Sequence, residues 1–214
     1  VSKLEQRYQN ASLPNYEIIN LNNAKLEKQS WLSKEVIQKV NFHLEKKDQV
    51  LFFLNRRGFS PNALCKKCFL SFSCPNCSIN LVYHKKRNNL LCHYCGFKSS
   101  LDRDCQKEGK CNLIFSGPGV ERISEEIKKV FPLKKVEIFS SDTMNKKSSK
   151  DKLEKIVKNE IQILVGTQLI SKGFHFPNLN CIVVVDTDLS SQGHDLRCAE
   201  KNLQLYHQLS GRAG

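Results

Sequence analysis

Eight cysteines between residues 65 and 111 are the side chains in this sequence best suited to chemistry. Two Cys-x-x-Cys pairs share "CKKCFLSFSCPNC" (Cys65, Cys68, Cys74, Cys77), a third is "CHYC" (Cys92, Cys95), and Cys105 and Cys111 flank "QKEGK". Thiolates suit Zn2+, and a tetrahedral four-cysteine site is assembled from two such pairs. Fourteen residues separate Cys77 from Cys92, enough for a hairpin to leave one pair and return with the other. Only five separate Cys68 from Cys74, which leaves little room for a hairpin. The spacing therefore predicts nested wiring, with Cys74, Cys77, Cys92 and Cys95 around one ion. Cys65 and Cys68 then close a second site with the Cys105–Cys111 end. Tandem wiring in chain order is the alternative. Eight thiolates leave no open coordination position, so both ions would be structural. His84 and His93 read as surface residues rather than ligands, and Cys181 and Cys198 as isolated apolar thiols.

Three further stretches carry polar residues at the ends of apolar runs: "FLNRRGFSP" (53–61), "ILVGTQLISKGFHFP" (163–177) and "QLYHQLSGRAG" (204–214). α/β proteins place ligands beyond strand ends in this manner. Each stretch is weak by itself, because a Gly-Thr turn or an Arg-Arg pair is more often only a turn or a solvated pair.

The elements that must position these residues follow from periodicity. "NYEIINL" (15–21) reads as a short strand, and residues 30–49 as a helix with Leu32, Val36, Ile37, Val40 and Leu44 on one face and Ser30 or Ser33 as its cap. "VLFFLN" (50–55) is the continuous apolar run of a strand covered on both faces. "LIFSG" (113–117), "KVEIFSSD" (135–142), "IQILVG" (161–166) and "CIVVVDTD" (181–188) read as further strands. Residues 120–131, 148–159 and 197–211 read as helices. Strands alternating with helices of this length predict a parallel α/β sheet, into which the cysteine segment is inserted between two sheet strands. There is no internal repeat, and "NKKSSKDK" is the one low-complexity run.

The chain has 214 residues and a formal net charge of +13, which makes a polyanion the first partner to consider, although a lysine-rich composition accounts for it equally well. No apolar run reaches the ~20 residues needed to span a bilayer, and "VSKLEQRYQN" contains no apolar leader segment. The expected setting is the reducing cytoplasm, where paired cysteines favour metal over disulfides. The start without Met and the stop at "GRAG" read as a piece of something longer.

In their order and spacing, "GTQLISKGFHFP" resembles motif V and "QLSGRAG" motif VI of superfamily 2 helicases. Together with "VLFFLNRRG", "SGPGVERISEEI", "VVDTDLS" and the eight-cysteine segment, the resemblance narrows to the second lobe of the bacterial replication-restart helicases, the primosomal protein N′ family, from about residue 14 to the end. It implies a RecA-like lobe with residues 1–62 as its start, 63–112 as a double zinc-ribbon insert and 113–214 as the remainder, cut at motif VI. It also implies ATP-driven 3′–5′ unwinding with Mg2+, and restart of replication at stalled forks. Single-stranded and forked DNA, single-strand-binding protein and other primosome proteins are the implied partners of a monomer away from membranes.

The resemblance assigns Arg212 to the arginine that stabilises charge on the γ-phosphate, with Gln168 and Gly173 at nucleotide-coupling positions. Thr167, Lys172, Arg56 and Arg57 become DNA-backbone contacts of the sequence-independent, salt-sensitive kind. Two departures stand out. No Walker A or acidic Mg2+ motif is present, so these residues alone should not hydrolyse ATP. The family's last pair reads Cys-x-x-Cys-Gly, whereas here Glu108 takes the second cysteine's place, leaving Cys111 or a Glu108 oxygen as fourth ligand of the outer site. A non-enzymatic zinc-ribbon protein that binds nucleic acid is the competing reading.

Overall fold

The computed structural model describes residues 14–24, 26, 30–54, 62–102, 104, 105, 107, 109–139, 146–167, 176–185, 187 and 197–211. In chain order the elements are α1 (Lys34–Glu45), β1 (Gln49–Phe53), β2 (Asn62–Cys65), β3 (Val82–His84), β4 (Asn89–Leu91), β5 (Lys98–Ser99) and β6 (Leu113–Ser116). There follow α2 (Val120–Val130), β7 (Val136–Phe139), α3 (Lys146–Val157), β8 (Ile163–Gly166), β9 (Leu179–Val184) and α4 (Cys198–Ser210).

The main sheet has four parallel strands in the order β7-β8-β1-β9. Its centre is β1, in which every residue is buried. Val50, Phe52 and Leu54 point to one face, where Val36, Val40 and Leu44 of α1 and Ile123 and Ile127 of α2 cover them. Leu51 and Phe53 point to the other, against Ile156 of α3 and Leu205 and Leu209 of α4. An uninterrupted apolar run is stable only with both faces covered, and helices on both sides make this an α/β sheet. β8 repeats the pattern, with Ile163 and Val165 on the first face and Leu164 on the second.

Local chemistry sets the boundaries. Ser33 is the cap of α1 and accepts a hydrogen bond from the Val36 N–H at 3.2 Å. Ser30 instead donates to the Glu126 carboxylate of α2, which also accepts from the N–H groups of Trp31 and Leu32, each at 3.0 Å. One side chain thereby holds the approach to α1 against α2. Below the sheet, the buried amide of Gln49 donates to the carbonyls of Ile156 (2.6 Å) and Ile161 (2.9 Å), closing the turn between α3 and β8 onto the start of β1.

Two expectations differ from what forms. Residues 113–116 are a strand, but one that pairs antiparallel with β2, from Asn62↔Ser116 to Cys65↔Leu113, outside the main sheet. The reason lies in its alternation: Leu113 and Phe115 pack into the insert while Ile114 is exposed, so one face remains in solvent. The sheet strands that flank the insert are therefore β1 and β7, with the β2–β6 ribbon as a neck and α2 after it. Residues 15–21 form no strand: Ile19 packs on the core, but Tyr16 and Ile18 are exposed, and the chain turns at Asn20–Asn23. The remaining strands and helices lie where the periodicity places them, shorter by a few residues or shifted.

Removing the shared acceptor tests the link between α1 and α2. Glu126→Ala leaves the Trp31 N–H unpaired and the Leu32 N–H with only the longer contact to Ser30 Oγ, at 3.4 Å, and should cost about 1–3 kcal/mol. A lowered urea midpoint at unchanged slope is the expected result.

Candidate metal centres

Three cysteine pairs fold in the same way. In each, the first cysteine's N–H donates five residues ahead: Cys65 to Leu70 (3.0 Å), Cys74 to Ile79 (2.7 Å) and Cys92 to Phe97 (2.8 Å). Its carbonyl accepts from the residue four ahead, from Phe69 (2.8 Å), Ser78 (2.9 Å) and Gly96 (2.9 Å). Those three residues all have positive φ, at 59°, 56° and 79°. The left-handed residue reverses the chain just after the second cysteine, which turns both thiols of a pair toward one point. "CQKEGKC" does this differently. Gly109 (φ 61°) supplies the left-handed residue and its carbonyl accepts from the Cys105 N–H at 2.7 Å, while an Asp104↔Lys110 bridge carries the chain on to Cys111.

The sulfurs gather in the nested arrangement. Cys74, Cys77, Cys92 and Cys95 form one group, and Cys65, Cys68, Cys105 and Cys111 another, with all ligand atoms of a group within 4.8 Å of one another. Cys74 Sγ lies 3.5 Å from Cys95 Sγ, and Cys65 Sγ 3.8 Å from Cys105 Sγ. A regular tetrahedron with Zn–S bonds of about 2.3 Å has S···S edges of about 3.8 Å, so all-thiol donor sets of these dimensions fit Zn2+. Cys111 is the fourth member of the outer group; Glu108 lies outside the described residues.

The thiols within each group differ in how readily they ionise. The Cys68 N–H holds the Cys65 thiol down to about 6, and the Phe97 N–H does the same for Cys95. Burial, then neighbouring thiols, pushes Cys77 and Cys111 up to about 12. One sulfur of each group readily becomes a thiolate while others resist, and a divalent cation is the partner that lets all four ionise.

The insert builds its own small core from Ala63, Phe72, Leu81, Tyr83 and Leu90 around Cys65, Cys74 and Cys92, with β3, β4 and β5 as an antiparallel sheet. Tyr83 stacks on Phe115 of the neck at 3.9 Å. His84, expected at the surface, is buried at 3% exposure. Its Nε2 lies 2.8 Å from His93 Nε2 and its Nδ1 lies 3.6 Å from Glu121 Oε1 of α2. Burial pushes the Glu121 carboxyl up, but the His84 ring, the Lys86 charge and the Lys85 backbone outweigh it and hold the group below its usual value. The signal available in sequence was two histidines flanking one hairpin, with an acidic residue in the first turn of the next helix.

On the sheet, Leu54 N–H donates to Gly166 O at 2.9 Å and Val185 N–H to Phe53 O at 2.9 Å, so the C-terminal ends of β1, β8 and β9 lie side by side. The segments 55–61 and 168–175 start from two of these adjacent ends. Thr167 is buried at the first residue past β8. Arg56, Arg57, Gln168, Lys172, Gly173 and Arg212 lie outside the described residues. Cys181 packs against the sheet core, where burial and the Asp48 charge raise its thiol to about 11, in keeping with an apolar role. Among the described residues no helix is long and apolar enough to cross a membrane.

The family profile described as "PriA DNA helicase Cys-rich region (CRR) domain" matches residues 74–99, the inner cysteine group with its hairpin. Replication restart protein PriA of Rickettsia felis is 46% identical over 99% of this chain and 33% of its own length. The proteins of the same name from Haemophilus influenzae (38% identical, 99% of this chain, 29% of the relative) and Bacillus subtilis (37%, 86% and 23%) also match. The chain thus spans a third or less of these curated relatives. On this similarity, which runs through both the sheet and the insert, the chain belongs to the PriA family of replication restart proteins.

Proposed function

We propose that this chain is the second, RecA-like motor lobe of an ATP-dependent 3′–5′ DNA helicase that restarts replication at stalled forks. The observation that carries the reading is the side-by-side ending of β1 and β8, fixed by the Leu54–Gly166 hydrogen bond, in a chain of the PriA family. It starts "NRRG" and "TQLISKG" from one edge of a parallel sheet, where such sheets bind ligands.

In this reading Arg212 reaches the γ-phosphate of ATP bound with Mg2+ against another part of the protein and offsets charge as it develops. Gln168 and Gly173 couple the nucleotide to DNA. Arg56, Arg57 and Lys172 contact the DNA backbone. Thr167, buried at the end of β8, is the fourth contact to that backbone. The two four-cysteine groups hold one Zn2+ each, which supplies the cross-link that a small core lacks and takes no part in the reaction. Residues 63–112 form the insert, flanked by sheet-lobe residues 1–62 and 113–214. Single-stranded and forked DNA, single-strand-binding protein and other primosome proteins are the partners of a cytoplasmic monomer.

Two measurements test this. Elemental analysis should find two zinc ions per chain, one for each group; Cys111→Ser should lower the count toward one, and Glu108→Ala should leave both. A count of one in the unaltered chain would show that the outer group does not hold metal. In the complete protein, Arg212→Ala should lower DNA-stimulated ATP hydrolysis by about 10³-fold or more while DNA binding persists. Turnover that survives the substitution would remove Arg212 from that role.

A further inference from the structure

The insert touches helix α2 through polar side chains that neither cysteine group requires. Glu121 in the first turn of α2 faces His84 Nδ1 at 3.6 Å, and His84 Nε2 meets His93 Nε2 at 2.8 Å. His93 stands between Cys92 and Cys95, so its backbone belongs to the pair that forms half of the inner group. A polar chain thus runs from α2 through His84 to the inner group. At 2.8 Å one ring nitrogen must donate and the other accept. The carboxylate beside Nδ1 favours the tautomer with its proton there, which leaves His84 Nε2 to accept from His93.

A second contact runs beside it: Lys85 Nζ lies 2.8 Å from both carboxylate oxygens of Glu125. That pair is about half exposed and is the kind that contributes little. The chain through His84 is different, because its central imidazole is buried and desolvated polar contacts are directional and costly to break. The insert is also attached through its neck. The two-stranded β2–β6 ribbon ends at Ser116, and Gly117, with a φ of 88°, bends the chain toward α2. A two-stranded ribbon by itself leaves rotation about its long axis free, whereas a buried contact off that axis removes it.

We propose that Glu121 and His84 are positioning residues that lock the inner cysteine module onto helix α2, so that insert and sheet move as one body during strand separation. The functional half of this statement rests on the helicase reading; the docking half rests on the geometry alone. Neither residue belongs to a four-cysteine group. The insert has its own core and its own cysteine groups, so losing the link frees its orientation while its fold persists.

The experiment uses the complete protein with Glu121→Gln and His84→Ala, each compared with Lys85→Ala. Zinc content, amide hydrogen exchange of residues 82–91, DNA-dependent ATP hydrolysis and strand unwinding are measured. In the first two variants zinc should stay at the unaltered level and exchange in 82–91 should speed up about tenfold or more. ATP hydrolysis should continue near its normal rate while unwinding is lost, and Lys85→Ala should change none of these. Glu121→Asp, which keeps the charge, should recover part of the unwinding. Unchanged exchange in both variants would overturn the docking, and so would loss of zinc from both, since the contact would then belong to the insert's own fold. Hydrolysis and unwinding that fall in step would overturn the positioning role. A complete unaltered protein that unwinds no DNA would defeat the helicase reading instead, with the exchange data still deciding the docking.

Discussion

The nesting of two four-sulfur groups is the constraint from which the insert's architecture follows. The outer group joins sulfurs from both ends of the insert, Cys65 and Cys68 with Cys105 and Cys111, directly beside the β2–β6 ladder. The inner group closes within that loop. A segment whose ends are joined in this manner returns the chain to where it left, so the sheet can carry it without opening its own core. The apolar burial available to the insert is small, and three of its eight buried core residues are themselves cysteines of the two groups. A module with so little core depends on cross-links for its stability. Thiols that repel one another when ionised become that cross-link only around a cation.

The sheet obeys a different requirement. Because β1 is covered on both faces, its neighbours must be parallel strands reached by crossovers, and helices must lie above and below. This leaves the strand ends as the places where polar residues can emerge without disturbing the layers. The Leu54–Gly166 and Val185–Phe53 hydrogen bonds align three of those ends. The two halves of the molecule thus solve separate problems, one by apolar layers and the other by sulfur chemistry, and meet at the neck and at α2.

What was legible in the sequence tracks how local the determining physics is. Loop lengths favoured the nested wiring over the tandem one, because five residues leave little room for the hairpin that fourteen can make. Helix α1 and the doubly covered β1 follow from periodicity, whereas the choice of Ser33 over Ser30 as cap came from the structure. β6 was legible as a strand but not as part of the neck, since "LIFS" has the composition of a sheet strand and only its pairing with β2 tells them apart. Residues 15–21 carry strand-forming residue types but have no ladder partner among the described residues. His84 was misplaced because its burial comes from α2, whose first turn lies more than thirty residues later in the chain. Cys111 could not be chosen over Glu108 from spacing; the left-handed Gly109 and the bridge after it carry the chain to the later residue.

The position of the insert has a mechanical consequence. Its neck joins the segment that follows β1 on one side and, through Gly117, the start of α2 on the other. Both elements contribute to the same face of the sheet core, where Phe52 and Leu54 meet Ile123 and Ile127. Close-packed cores transmit displacement and do not absorb it. A force on the insert therefore reaches the end of β1 by two routes, along the backbone of the neck and through Glu121 into α2. The same strand end begins the "NRRG" segment and abuts the end of β8. An insert attached at any surface loop would load a single connection, whereas one placed between β1 and α2 loads the strand edge from which the candidate DNA and nucleotide contacts extend.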